Sequence, residues 1–156
     1  MDVTIRDARG DELATIQSLN HDLFVHDQEY DPTLWMNWPF EDNKGARYFM
    51  EKINHANGVC LVAEMNGEIV GYVAGSMKKA PSHRDVTLSE LENMLVKDGH
   101  RGQGIGGKLA KAFVDWSREQ GAQRVTVSAY AGNADAVQFY KNQGFIPYAT
   151  ELELVV

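Results

Sequence analysis

A glycine-dense loop between an apolar run and an amphipathic run constrains this chain more than any other stretch. Residues 88–96, LSELENMLV, read as a strand, and a polar turn, Lys97-Asp98-Gly99-His100, follows. Arg101-Gly102-Gln103-Gly104-Ile105-Gly106-Gly107 then leads into a helix with the apolar set Ile105, Leu109, Ala112, Phe113 and Trp116. That is the stripe of a helix buried on one face. Glycine permits a tight turn and the close approach of a ligand. A helix start presents unpaired N–H groups and about half a positive charge. The unit therefore predicts a cradle for a phosphate-bearing ligand.

Gly102-x-Gly104-x-x-Gly107 matches the dinucleotide fingerprint, but that motif needs an acidic residue about twenty positions on. Residues 125–129 contain no carboxylate. A P-loop would place lysine and then serine or threonine after the last glycine, and none follows in that order. The pattern that fits is Arg-x-x-Gly-x-Gly, Arg101 through Gly106, paired with a second block, Asn133 to Phe145, NADAVQFYKNQGF. Together these blocks resemble the GCN5-related N-acetyltransferase (GNAT) family, and the order of elements keeps the resemblance over nearly the whole chain.

The resemblance implies an α/β domain with a mixed central sheet of about six to seven strands and four helices. It also implies acetyl-CoA as co-substrate, and transfer of its acetyl group to a primary amine by direct attack on the thioester. In such an enzyme the backbone groups of Met94, Leu95 and Val96 pair with the pantetheine arm, one N–H facing the developing oxyanion. Amides from Arg101 or Gly102 through Gln103, Gly104, Ile105, Gly106 and Gly107 hold the pyrophosphate, Arg101 adds charge, and Asn133 contacts the arm from the other side. Tyr140 lies near the thioester sulfur and protonates the departing thiolate. Several members carry a base at the strand position of Glu92; others place it on the following strand, where this chain has Ser128.

Glu92 also draws attention on its own. Strict alternation puts Glu90, Glu92, Met94 and Val96 on one strand face and Leu91, Asn93 and Leu95 on the other. A carboxylate inside a strand is costly unless solvated, paired or used. Two readings stand: pairing with a nearby lysine or arginine, or a general base acting directly or through water, with Glu90 as understudy. A lysine-like amine, with a pKa near 10.4, needs about 4.6 kcal/mol to reach its neutral form at pH 7. Positioned base catalysis supplies about 10²- to 10⁴-fold. For Tyr140, the alternative is an aromatic filling the sheet face.

Length and charge bound the rest. One domain, residues 1–156, is expected. The net charge of −7 argues against a general nucleic-acid binder. Eight acids and no lysine or arginine lie between Asp11 and Asp42, a stretch that also holds Tyr30, Trp35, Trp38 and Phe40. Acids attract cations and aromatic faces hold ammonium groups, so a cationic amine acceptor is one reading and a solvated helix face with core tryptophans is the other. Cys60, the single cysteine, is read as a buried core side chain. No metal site is expected, because His21 and His26 are five apart where a helical pair uses four. No run is long enough to span a membrane, and the cytoplasm is the expected location. The acceptor is expected to be a small-molecule or peptide amine, and family members are often homodimers. A non-catalytic acyl-CoA-binding module is the alternative function.

The remaining elements follow from pattern. A strand is expected over 2–6, a helix from Asp11 with Leu13, Ile16, Leu19 and Leu23 inward, and a second helix over about 43–54. Asn66-Gly67 should join two strands in a hairpin. A strand is expected over 125–130 and a helix from Asn133 to Gly144. A last pair of strands is expected at 145–148 and 151–156.

Overall fold

The computed structural model describes residues 2–156. Five strands form one sheet in chain order: β1 (Thr4–Asp7), β2 (Val59–Met65), β3 (Glu68–Lys78), β4 (Leu88–Val96) and β5 (Arg124–Val127). The first three joints are antiparallel and β4–β5 is parallel, as a strand–helix–strand connection requires. Asn66 and Gly67 join β2 to β3 with φ of 53° and 77°, the double positive φ of a tight hairpin turn. α1 (Leu13–Asp27) and α2 (Arg47–Ile53) cover one face of the sheet, and α3 (Ile105–Glu119) the other; α4 (Ala134–Asn142) follows β5.

Covering both faces makes the central strands apolar throughout. In β2, Val59, Leu61 and Ala63 meet Leu109 and Phe113 of α3, while Cys60 and Val62 meet Ile16, Leu19 and Phe49 of α1 and α2. The expected helices and hairpin are present, with differences of extent: β1 spans Thr4–Asp7 rather than 2–6, and α1 begins at Leu13 after a tighter turn at Gly10–Glu12. α2 begins at Arg47, because an irregular turn at Asp42–Ala46 holds Lys44 at φ −122°, ψ −110°. β5 ends at Val127 rather than at Tyr130.

Strict alternation fails in β4. Its register against β3 runs Ala74↔Asn93 and then Gly75↔Leu91, so Glu92 is an extra residue in a bulge. The bulge resets the faces: Leu91, Met94 and Val96 pack towards α3, while Leu95 packs towards α1 and α2 and both Glu92 and Asn93 bond Tyr48 of α2. Gly75 makes this possible, since a Cβ there would lie 2.2 Å from Glu90 O and 2.5 Å from the Phe113 ring.

The sheet has five strands rather than six or seven, because residues 145–156 form none. The segment has the side-chain pattern of strands, but a strand exists only where an edge accepts its ladder. Ile146, Tyr148, Leu152, Leu154, Val155 and Val156 are all at least 73% exposed. Among the described residues, no helix is long and apolar enough to cross a membrane.

Candidate active site

β4 and β5 pair only from Leu88–Leu91 to Arg124–Val127. Beyond Leu91 the two strands part, and the edge of β4 that faces β5 over Met94, Leu95 and Val96 has no strand partner. The bulge at Glu92 is where pairing stops, so one extra residue opens the gap. The side chains of Met94, Leu95 and Val96 pack into the two cores. Their backbone groups on this edge are left without a strand partner.

The glycine loop lies at the wide end of this gap. Gly102 and Gly104 have φ of +76° and +81°, and a Cβ at either would meet nothing within 4 Å. Gly106 and Gly107 differ: a Cβ there would press on the Phe139 ring at 3.2 Å and on Gln143 at 3.3 Å. Two glycines shape the loop, and two let α4 approach the start of α3. The first backbone bond of α3 is Lys108 N donating to Gly104 O. Among the described residues, the N–H groups of Gly102 to Gly107 have no backbone acceptor, which suits an anion cradle.

Arg101 is half exposed beside this loop. Its Nε donates to Val96 O at 3.0 Å, and its other nitrogens reach Asp98 at 3.2 Å and His26 at 3.2 Å. These groups line a cleft of about 230 Å³ with Asp22, Val25, Leu95 and Lys97. Gln103 Nε2 bonds back to Gly99 O, and the side chain of Ile105 is fully in the core. Asn133 caps α4, its Oδ1 accepting from Ala136 N at 3.1 Å, which leaves its amide group as the part able to contact a ligand.

Glu92 is held by four donors. Tyr48 donates to Oε1 at 2.5 Å, and Ser76 donates to Oε2. Lys52 Nζ lies 3.5 Å from Oε1 and Lys78 Nζ 3.1 Å from Oε2. Burial pushes this carboxyl up, but the hydroxyls of Ser76 and Tyr48 and the two lysines outweigh it and hold it below the usual range. Lys52 is only 2% exposed; burial lowers its pKa, against the opposing pull of Glu92. Its Nζ also donates to Asn57 O at 2.9 Å. Pattern reading missed Tyr48, Lys52, Ser76 and Lys78, although a lysine on the inner face of α2 beside Phe49 and Ile53 was a visible signal.

Tyr140 packs edge-on against Phe139 and Phe145, with ring centroids 5.1 and 5.6 Å away. Burial, and then the charge of Asp27, push its hydroxyl up to about 12, so it holds its proton at neutral pH. Asp27 was not singled out by the sequence. It ends α1, where its carbonyl accepts from the amides of Tyr30 and Asp31, both at 2.9 Å. This turn docks on the segment after β5: Tyr30 stacks on Tyr130 at 5.9 Å, and Tyr130 donates to Asp31 at 3.2 Å. The carboxylate of Asp27 has no hydrogen-bond partner among the described residues. Burial raises its pKa, and its charge in turn raises Tyr72, Tyr130 and Tyr140.

Parallel strands that part and a row of helix-start amides without backbone acceptors suit an extended, anionic ligand. The chain belongs to the Acetyltransferase (GNAT) family, whose family model matches residues 16–145. It is similar to the L-methionine sulfoximine/L-methionine sulfone acetyltransferase of Pseudomonas aeruginosa, at 23% identity over 93% of this chain and 81% of that protein. N-alpha-acetyltransferase 30 of Schizosaccharomyces pombe is 35% identical over 65% of each chain. The chain spans about half the length of another relative, an uncharacterized N-acetyltransferase of Methanocaldococcus jannaschii (47% of that protein, 28% identity). Among solved structures, a mutant of the BH1408 protein from Bacillus halodurans superposes with a TM-score of 0.84 at 18% identity over 98% of this chain and 99% of that one. Aminoglycoside N-acetyltransferase AAC(6')-Iy in complex with CoA superposes with a TM-score of 0.76 at 15% identity over 99% and 95%.

Proposed function

We infer that the protein moves the acetyl group of acetyl-CoA onto a primary amine of a small cationic molecule, an amino acid or a peptide. The observation that carries this is the unpaired edge of β4 beyond Leu91, which opens beside the unbonded amides of Gly102 to Gly107. A pantetheine arm has amide groups to extend the missing ladder, and a diphosphate has the charge to meet the helix start. Acetyl-CoA supplies an activated thioester when bound. The chain supplies the rest.

The backbone of Met94, Leu95 and Val96 orients the arm, and the loop from Arg101 to Gly107 with Asn133 fixes its ends. Tyr140, protonated at neutral pH, donates to the leaving sulfur. Glu92 works through its network: with four donors on two oxygens and a lowered pKa, it fixes Tyr48, Lys52 and Lys78 at the bulge. Asp27 ends α1, close enough to Tyr140 for its charge to raise that hydroxyl, and its half-buried carboxylate accepts no hydrogen bond among the described residues and has a raised pKa. Its charge attracts an ammonium group, and its basicity suits it to receive the proton, directly or through water.

Release of free thiol across a panel of polyamines, aminoglycosides, amino acids and peptide termini tests this reading. Turnover with at least one cationic amine is expected, and Asp27→Asn should lower kcat/KM for that amine about tenfold or more without altering coenzyme affinity. Coenzyme binding with no thiol released for any amine would favour the non-catalytic acyl-CoA module. Unchanged amine kinetics in Asp27→Asn would remove Asp27 from the acceptor site.

A further inference from the structure

The unpaired edge of β4 has an open end and a closed one. It runs from Val96, near the glycine loop, back to Glu92, next to Leu91, the last residue paired with β5. The four steps between them span about 13 Å at strand rise. An arm whose diphosphate is held at the loop therefore presents its far end, the thioester, near the Glu92 bulge. A lysine amine already stands there. Lys78 ends β3, two residues beyond Ser76 and on the same strand face, and its Nζ reaches back to Glu92 Oε2 at 3.1 Å. The side chain is half exposed, so solvent and ligand both have access to the amine. Lys52, the other lysine on Glu92, is buried and also bonded to Asn57 O, out of reach of either.

We propose that Lys78 is an acetylation site of the protein itself, modified from its own acetyl-CoA when no acceptor amine is present. The proposal rests on the acetyl-transfer reading above. A half-exposed ion pair is weak, so Lys78 leaves Glu92 and gives up a proton to water, as it must, because a lysine attacks only as the neutral amine. Its Nζ then bonds to the acetyl carbonyl carbon, and the carbon–sulfur bond breaks. Sulfur leaves with a proton from Tyr140, and the surplus proton on nitrogen passes to Glu92 or to water. Holding both reacting groups at one end of the gap supplies the proximity that a reaction in solution lacks. The product is a neutral amide. It removes one of the cations that hold the Glu92 carboxyl below the usual range, which raises the basicity of that carboxylate. It also clears a competing ammonium group from the end of the gap.

Incubation of the intact protein with acetyl-CoA and no amine, followed by mass spectrometry of the whole chain and of its peptides, tests it. The expected result is a gain of one acetyl group at Lys78, faster by about tenfold per pH unit between about pH 7 and pH 9. Lys78→Arg should gain none, and Tyr140→Phe should slow the gain at least about tenfold. Protein unfolded in urea should lose the preference for Lys78. Acetyl groups spread over exposed lysines such as Lys79, Lys108 and Lys111 would overturn the proposal. So would a rate indifferent to Tyr140→Phe or to unfolding, because each means ordinary chemical acetylation. An unmodified Lys78 in a protein that acetylates an added amine would overturn it and leave the transfer reading standing. An unmodified Lys78 with no thiol released for any amine would remove both.

Discussion

Replacing Glu92 by glutamine tests the network at the β4 bulge. The change keeps the shape and removes one charge, so its cost falls on the two lysines. Lys78 is 44% exposed, and a half-exposed pair of this kind is worth only about 0.2–1 kcal/mol. Lys52 is 2% exposed, and stripping the partner from a buried charge costs about 3–5 kcal/mol. Two features favour the lower end: Asn57 O still accepts from Lys52 at 2.9 Å, and a glutamine oxygen still accepts one bond. Lys52 can also give up its proton, which caps the loss at about 4.6 kcal/mol at pH 7. The expected destabilisation is about 3 kcal/mol.

Urea unfolding followed by tryptophan fluorescence reads it, because Trp38 packs on Tyr48 at 5.5 Å. Glu92→Gln with Lys52→Met should recover most of the loss, since no buried charge is then left alone. The pH dependence has a defined sign. The folded carboxyl of Glu92 lies below its unfolded value, so its contribution is complete above about pH 4.3 and disappears as pH falls through the folded value. The gap between parent and Glu92→Gln should close in that acid range. A loss under about 1 kcal/mol at pH 7, or a double variant no better than the single one, would refute the reasoning.

Tyr140→Phe should lower kcat at least about tenfold while leaving coenzyme affinity within about twofold; equal turnover in the two proteins would leave Tyr140 as packing. Gly104→Glu should abolish acetyl-CoA binding seen by calorimetry with a small change in melting temperature, because its Cβ meets nothing within 4 Å and only the φ of +81° resists it. Gly106→Glu should lose binding and melting temperature together, since its Cβ would press on Phe139 at 3.2 Å. Retained binding in Gly104→Glu would contradict the cradle.

The loop from Arg101 to Gly107, the strand before it and the helix after it were legible because each rests on a local rule. Glycine positions, a stripe of Ile105, Leu109 and Phe113, and Asn133 as a cap need no knowledge of neighbours. The bulge at Glu92 was not legible. It lies opposite Gly75 of β3, where the absence of a side chain lets Glu90 O and the Phe113 ring come close, a fit between three elements that no local pattern announces. With the faces reset, Glu92 meets Tyr48, Ser76, Lys52 and Lys78, residues 44, 16, 40 and 14 positions away in the chain. Asp27 likewise looked like one acid among eight until the turn after α1 was seen docked on Tyr130.

The sequence by itself determined the order of the helices and sheet strands, the glycine loop at the start of α3 and the family, since periodicity and glycine spacing act over a few residues. Tertiary structure alone decided which carboxylate is saturated and which stands free, because an ion pair depends on distances between elements remote in the chain. It also decided that residues 146–156 lie unpaired, for a strand is made by its neighbour as much as by its own side chains.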